Sequence, residues 1–345
     1  MDSMFSILNN VTNNTNNSAE IAPTAAPSEP VMIEKPFYKW FRVAAYSFVC
    51  LSGVFGNFMV IFASRKPGMI TVSNILIANL AVADFTVSLI NIPTVAVYGH
   101  LTYWPFGGFL CKLIPFLQGL TLSASAGTLV AIAVERYWQI VRYTKRKPKV
   151  REAYQAALVI WASSIFIPLP MAVFSKITMW KQREEEFAIC VEEWPNQKIR
   201  QAYTTLLFLL MYFFPLLLIC VLYVQISRFL KNLPPIRRVT TRVQGKTVRM
   251  LTIVVVLFGF CWLPYHIVYM YLDFSQSQYT QAITSLVLLV QWLMFANSAC
   301  NPVVYAVLNV NFRRKFFAML FRQQTGRRLN NEHVSIRVQT VRSAV

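Results

Sequence analysis

The sequence predicts an all-α membrane protein: a seven-transmembrane helix bundle with a short amphipathic helix after the seventh span. Three observations predict it. Of 345 residues, 56% are hydrophobic and only 14% charged, where a soluble domain carries about 25% charged residues. Seven continuous apolar stretches, at 41–64, 72–98, 109–134, 153–174, 201–226, 248–272 and 282–308, each offer roughly the 20 residues that a spanning helix needs. The basic residues are also split between alternate connections: 24 of the 33 Lys and Arg lie in 65–66, 136–151, 228–249 and 313–342. That bias sets these connections in the cytoplasm and the amino terminus outside.

The elements follow in order. Residues 1–40 form an extracellular tail, rich in Asn, Thr, Ser and Pro and expected to be disordered. It holds three glycosylation acceptors, Asn10, Asn13 and Asn16. No cleavable-signal pattern precedes the first span, so that span is expected to direct insertion itself. The bundle covers 41–308. Its runs are continuous rather than alternating, which excludes a barrel and leaves helices as the only spanning structure. Residues 309–321 alternate basic and apolar side chains, among them Phe312, Arg313, Arg314, Lys315, Phe316 and Phe317, as in a helix lying on the inner membrane face. Residues 322–345 form a disordered cytoplasmic tail.

The net charge of +19 is mostly topology. No polar domain is present to carry base-reading chemistry, so nucleic acid is excluded as a partner, while membrane lipids are expected to meet the inner Lys and Arg. Acidic residues divide the other way. The outer side holds Glu184, Glu185, Glu186, Glu192, Glu193 and Asp273, which suits a cationic ligand.

Asp84 is the one acid at mid-membrane. A carboxylate there costs about 2.5–3.5 kcal/mol on insertion scales, so it is expected to face the bundle interior. Asn57, Ser125, Asn297, Ser298 and Asn301 lie at similar depth and could complete an oxygen-lined pocket for sodium; interhelical hydrogen bonding is the other reading. Arg136 lies at the inner end of the third span between Glu135 and Tyr137. Pro93, Pro168, Pro170, Pro215, Pro264 and Pro302 each remove a backbone donor and predict kinks or hinges. Cys50, Cys220, Cys261 and Cys300 lie singly in apolar runs, whereas Cys111 and Cys190 lie near span ends on the outer side, where a bridge is allowed.

These residues resemble the rhodopsin-like G-protein-coupled receptors over about 40–321. The ordered landmarks are Gly56-Asn57, Asn79-Leu80-Ala81-Val82-Ala83-Asp84, Trp104 before Cys111, Glu135-Arg136-Tyr137, Trp161, Pro215 with Tyr223, Phe258 with Cys261-Trp262-Leu263-Pro264, and Asn301-Pro302-Val303-Val304-Tyr305. Within that family the chain is most similar to neuropeptide Y and neuropeptide F type receptors. The segments are Cys111-Lys112-Leu113-Ile114-Pro115-Phe116-Leu117-Gln118, Cys190-Val191-Glu192-Glu193-Trp194-Pro195 and Tyr203-Thr204-Thr205-Leu206-Leu207.

The resemblance implies an amidated peptide ligand with a basic residue near its end, and contacts from Tyr98, Gln118, Glu192, Glu193, His266, Asp273 and Gln291. Gln118 replaces the aspartate of amine receptors, and Asp273 matches a carboxylate thought to pair with a ligand arginine. The resemblance also implies a switch through Glu135, Arg136, Tyr137, Pro215, Tyr223, Phe258, Trp262, Pro264, Asn301, Pro302 and Tyr305, with a heterotrimeric G protein and arrestin as inner partners. Thr325, Ser335, Thr340 and Ser343 are the tail hydroxyls available to phosphorylation, and Ser343-Ala344-Val345 has the shape of a PDZ ligand. Departures are Glu135 for the commoner aspartate, Gln244 where many members carry an acid facing Arg136, Ala126 for a branched residue, and Tyr143 for a proline. A tachykinin-like receptor is one alternative. A transporter or channel is another, and would show repeated halves and several charges along a path. No catalytic constellation is recognised.

Overall fold

The structure is a computed structural model, and it describes residues 36–101, 103–142, 149–182, 185–233, 235–275 and 281–320. The side chains of 36, 182, 185, 235–244, 246 and 281 are not described. The acceptors Asn10, Asn13 and Asn16, together with Tyr143, Glu184, the side chain of Gln244 and everything from residue 321 on, fall outside this description.

Seven helices are long and apolar enough to cross a membrane: Phe37–Ser64, Val72–Leu101, Gly107–Arg142, Val150–Phe174, Gln197–Lys231, Thr247–Phe274 and Ala282–Leu308. They are called spans one to seven below. The third packs against the second, fourth and fifth, while the first closes on the seventh and the sixth lies between the fifth and seventh. The pattern inverts that of a soluble domain. Phe48, Leu158, Phe166 and Phe260 are exposed on the outside of the bundle, while Asn57, Asp84, Ser88, Asn91, Asn297, Ser298 and Asn301 are buried within it. In hydrocarbon no water is present to satisfy a polar group, so such groups turn inward to each other.

The prolines act in three ways. Pro93 and Pro215 each follow closely on a π-helical segment, Val87–Asn91 and Leu209–Phe213; the widened turn accommodates the missing donor and the ring. Pro168 interrupts span four, which runs as helix over Val150–Ser164 and resumes at Leu169–Phe174. Pro115, Pro264 and Pro302 lie inside helices that continue through them.

Outside the membrane, strands β1 (Ser175–Gln182) and β2 (Glu185–Glu192) form an antiparallel hairpin, with Ser175 opposite Glu192 and Ile177 opposite Cys190. A Cys111–Cys190 disulfide fastens it to the start of span three, and Trp104 N–H donates to the Ala188 carbonyl at 2.7 Å. On the inner side, Val310–Leu320 forms a separate short helix. The Asn309 side chain accepts from the backbone of Asn311 and Phe312, capping its start. Phe312 and Phe316 are buried, with Phe312 packing 5.9 Å from the Tyr305 ring, while Arg313 and Arg314 are exposed. That helix is amphipathic, as the alternation of basic and apolar residues predicts.

Gly56 shows why a small residue is needed where spans one and seven meet. A Cβ there would lie 2.7 Å from the Cβ of Pro302, and the rigid ring cannot yield. Gly56→Ala is therefore expected to destabilise the bundle by about 1–3 kcal/mol, an overpacking cost. The measurement is a fall of several degrees in the melting temperature of the detergent-purified protein.

Candidate functional site

A cavity opens among spans three, five and six beneath the hairpin. Its wall includes Gln118, Leu122, Glu192, Arg200, Thr204, Trp262, His266, Tyr269 and Asp273. The start of span five builds one side of it. Asn196 caps the helix by accepting from Ile199 N–H at 2.8 Å. The next turns place Gln197, Arg200, Gln201 and Thr204 on one face, because residues three, four and seven apart share a face.

All four reach Asp273 on span six. Arg200 Nε lies 2.8 Å from Asp273 Oδ1, and Thr204 Oγ1 donates to Oδ2. Gln197 and Gln201 donate through Nε2 to the Asp273 carbonyl at 2.8 and 2.9 Å. Asp273 is only 4% exposed and Arg200 6%. The carboxylate expected to meet a ligand cation is thus already engaged by the protein's own guanidinium. Sequence reasoning missed Arg200, although polar residues at 197, 200, 201 and 204 are a helical stripe in plain sight.

The other expected ligand contacts divide. Gln118 and His266 line the cavity, and both carry a buried polar atom with no hydrogen-bond partner among the described residues: Gln118 Oε1 and His266 Nε2. The His266 ring packs among Phe208, Tyr212, Trp262 and Tyr265 at 5.0–6.1 Å. Gln291 does not line the cavity but donates through Nε2 to the Tyr269 hydroxyl at 2.9 Å, orienting a side chain that does. Glu192 lines it and accepts from Trp194 Nε1 at 2.8 Å. Tyr98 is buried edge-on to Trp104, and is not among the lining residues. Glu193 lies apart: its carboxylate pairs with Lys176, and both side chains are about half exposed.

Below Trp262 a smaller cavity continues to Asp84, lined also by Gln118, Thr121, Ser125, Asn297 and Ser298. Asp84 accepts from Ser298 Oγ at 2.9 Å and from Asn301 Nδ2 at 2.7 Å, one bond on each oxygen. Asn57 Nδ2 bridges the Gly53 and Ser298 carbonyls, each at 2.9 Å, joining spans one and seven. Asn297 Oδ1 is buried without a partner among the described residues.

At the inner end, Arg136 Nε lies 3.1 Å from Glu135 Oε2. Ser73 on span two joins both: its hydroxyl donates to Glu135 Oε1 at 2.9 Å and accepts from Arg136 Nη2. Gln139 donates to the same Glu135 oxygen and accepts from Arg136 Nη1 at 3.4 Å. Ser73 and Gln139 are further positions that sequence reasoning did not find. Tyr223 and Tyr305 are buried nearby, and their hydroxyls have no partner among the described residues. Phe258 packs under Trp262 at 6.0 Å.

Residues 56–305 match the model of the 7 transmembrane receptor (rhodopsin family). The chain belongs to that family. The matched stretch begins at Gly56 and ends at Tyr305, so it covers the contact of Gly56 with Pro302 and every buried polar side chain just described. This rhodopsin-family receptor is 37% identical over 304 residues to the rat neuropeptide FF receptor 1, covering 82% of this chain and 70% of the relative. It is 32% identical to the rat galanin receptor type 1 (84% and 85% covered) and 33% identical to a QRFP-like peptide receptor of Branchiostoma floridae (83% and 78%). Seven spans, the basic inner connections and the family together make it a multi-pass plasma-membrane receptor with its amino terminus outside.

Thr204→Val keeps the shape but removes a donor to a buried carboxylate, a bond of the kind worth about 1.5–3 kcal/mol. The melting temperature of the purified receptor is expected to fall by several degrees. Lys176→Ala breaks the exposed pair with Glu193, and should stay within about 1 kcal/mol of the unaltered protein.

Proposed function

We propose that this G-protein-coupled receptor is activated by an extracellular neuropeptide with an amidated C-terminal end and a basic residue close to it. One observation carries the reading: a cavity whose mouth holds two buried carboxylates, Asp273 and Glu192, and whose floor offers the unpaired acceptor Gln118 Oε1 beside His266 Nε2. A terminal carboxamide can donate to Gln118 and, through its other polar atom, meet His266. A carboxylate at the same place would face Gln118 Oε1 with no hydrogen to give. A guanidinium suits Asp273, where a desolvated pair is bidentate and orienting. The relatives named above favour a neuropeptide of the RFamide kind over the tachykinin-like alternative. The reading involves no chemical conversion of the ligand. Tyr98, Glu193 and Gln291 act at the edge of this site, Glu193 through long-range attraction of the cation.

The route inward runs through contacts already described. A ligand shifts the receptor only by binding its active arrangement more tightly; moving a 1:99 balance to 99:1 takes about 5.5 kcal/mol. Ligand contact at Gln118 and His266 bears directly on Trp262, and through it on Phe258 and the Pro215 layer. Opening at the inner end requires Arg136 to leave Glu135 and Ser73 and to regroup with Tyr223 and Tyr305, whose unpaired hydroxyls are available for new bonds. Pro264 and Pro302 interrupt the hydrogen-bond ladders of the two spans that move. A G-protein helix then inserts by the helix-in-groove mode. Arrestin is the partner of the phosphorylated tail, and membrane lipids of the basic inner face.

The oxygens of Asp84, Ser125, Asn297 and Ser298 suit a small hard cation, and the unpaired Asn297 Oδ1 is the atom that such an ion would satisfy. Bound sodium would supply positive charge against the Asp84 carboxylate and hold spans two and seven in the inactive arrangement.

Peptides ending in Arg-Phe-amide should evoke G-protein activation in cells bearing the receptor, and their free acids should be at least about tenfold weaker, the worth of one hydrogen bond to a neutral group. Asp273→Ala should lower potency more than Asp273→Glu. Equal, wild-type-like potency in both would sink the ligand ion pair. Sodium should weaken agonist binding in the wild type, and Asp84→Asn should abolish that sensitivity; an unaltered sodium titration in the variant would remove the ion from the account.

A further inference from the structure

Asp273, Glu192 and Arg200 share the wall of one cavity, and all three are buried. Arg200 holds Asp273 at 2.8 Å from across the span five and span six boundary. A cationic ligand directed at Asp273 therefore meets a position that the chain has filled with a guanidinium of its own. We propose that Arg200 is a tethered stand-in for the ligand's cation, and that binding is an exchange in which the ligand's guanidinium takes Asp273 and Arg200 is redistributed between the carboxylates. This rests on the peptide reading given above and adds the residue that sets its selectivity.

Three features support the exchange over a fixed scaffold role. First, the cavity wall carries a second buried carboxylate, Glu192, toward which Arg200 can turn when it leaves Asp273. Second, Asp273 does not depend on Arg200 alone. Thr204 Oγ1 donates to its other oxygen, while Gln197 and Gln201 fix its backbone, so the carboxylate keeps its place while its cation changes. Third, the ion pair is one of several ties between span five and span six, and the exchange removes that one while Thr204, Gln197 and Gln201 keep theirs.

An occupied site lowers apparent affinity by the fraction of receptors in which it is open, and removal of the internal cation should raise it. The test uses the full-length purified receptor, wild type and with Arg200→Gln, Arg200→Lys or Arg200→Gln combined with Asp273→Asn. The probes are argininamide and its uncharged isostere citrullinamide, read by thermal shift, and an octapeptide ending in Arg-Phe-amide, read by G-protein activation. The expected result is that Arg200→Gln melts lower without a probe, yet reaches its half-maximal shift at about tenfold less argininamide than the wild type. Arg200→Lys, which folds with its charge retained, should fall between. Citrullinamide should shift none of them, and the double variant should lose the response. Equal argininamide sensitivity in wild type, Arg200→Gln and Arg200→Lys overturns the exchange, as does a weaker response on removing Arg200. A wild type that no amidated octapeptide activates defeats the peptide reading, while the argininamide comparison still decides the exchange.

Discussion

A polar group in hydrocarbon has no water to fall back on, and an unsatisfied one costs several kcal/mol. This receptor nonetheless carries a column of polar side chains from Asp273 at the outer mouth, through Gln118 and Asp84, to Glu135 and Arg136 at the inner face. The bundle's arrangement follows from satisfying them. Asp84 joins span two to span seven through Ser298 and Asn301. Asn57 joins span one to span seven, Asn79 joins span two to Thr128 on span three and to Trp161 on span four, and Asp273 joins span six to span five. Each polar residue thus serves as an interhelical tie. The exposed faces are left to apolar side chains, which need only match lipid.

The ties differ in how completely they are satisfied. Asn79 is engaged on both sides of its amide, donating to Thr128 and accepting from Trp161. Gln118, Asn297, Tyr223 and Tyr305 each retain a buried polar atom without a partner among the described residues. In a fully static protein such atoms would be a standing cost of about 1–3 kcal/mol each. They coincide with the outer cavity, the proposed sodium site and the inner end. A second arrangement that satisfies them is then favourable enough to compete with the first.

Legibility in the sequence followed the same physics. The spans were readable because about 20 successive apolar residues have one explanation, and Asp84 because a mid-membrane acid is too costly to be idle. The expected span limits fall short of the helices by up to eight residues, at the inner end of span three, and span five begins four residues before the expected limit, at the Asn196 cap. The β-hairpin was not anticipated. Its strands lie in a loop between two spans, outside the seven apolar stretches, and the disulfide and Trp104 fasten them to the outer end of span three and the connection before it. The π-helical segments before Pro93 and Pro215 were likewise hidden, because a proline announces a missing donor but not how the preceding turns accommodate it. Glu193 was grouped with Glu192 by adjacency. Neighbours on a strand face opposite ways, and the residue just past β2 is already paired with Lys176 on the surface.

Arg200 is the most instructive omission. As an isolated basic residue on the outer side it counted only toward topology, whereas its position three residues after Gln197 and four before Thr204 marks one face of a helix. A cation inside that stripe needs a buried anion, and Asp273 is the anion that span six offers at the same depth. The acid that resemblance singled out for the ligand and the arginine that resemblance ignored are therefore one unit. A receptor that holds its own cation in the ligand's place keeps Asp273 paired when empty. It can also tell a cationic ligand from a neutral one, because only the former can take over what Arg200 was doing for Asp273.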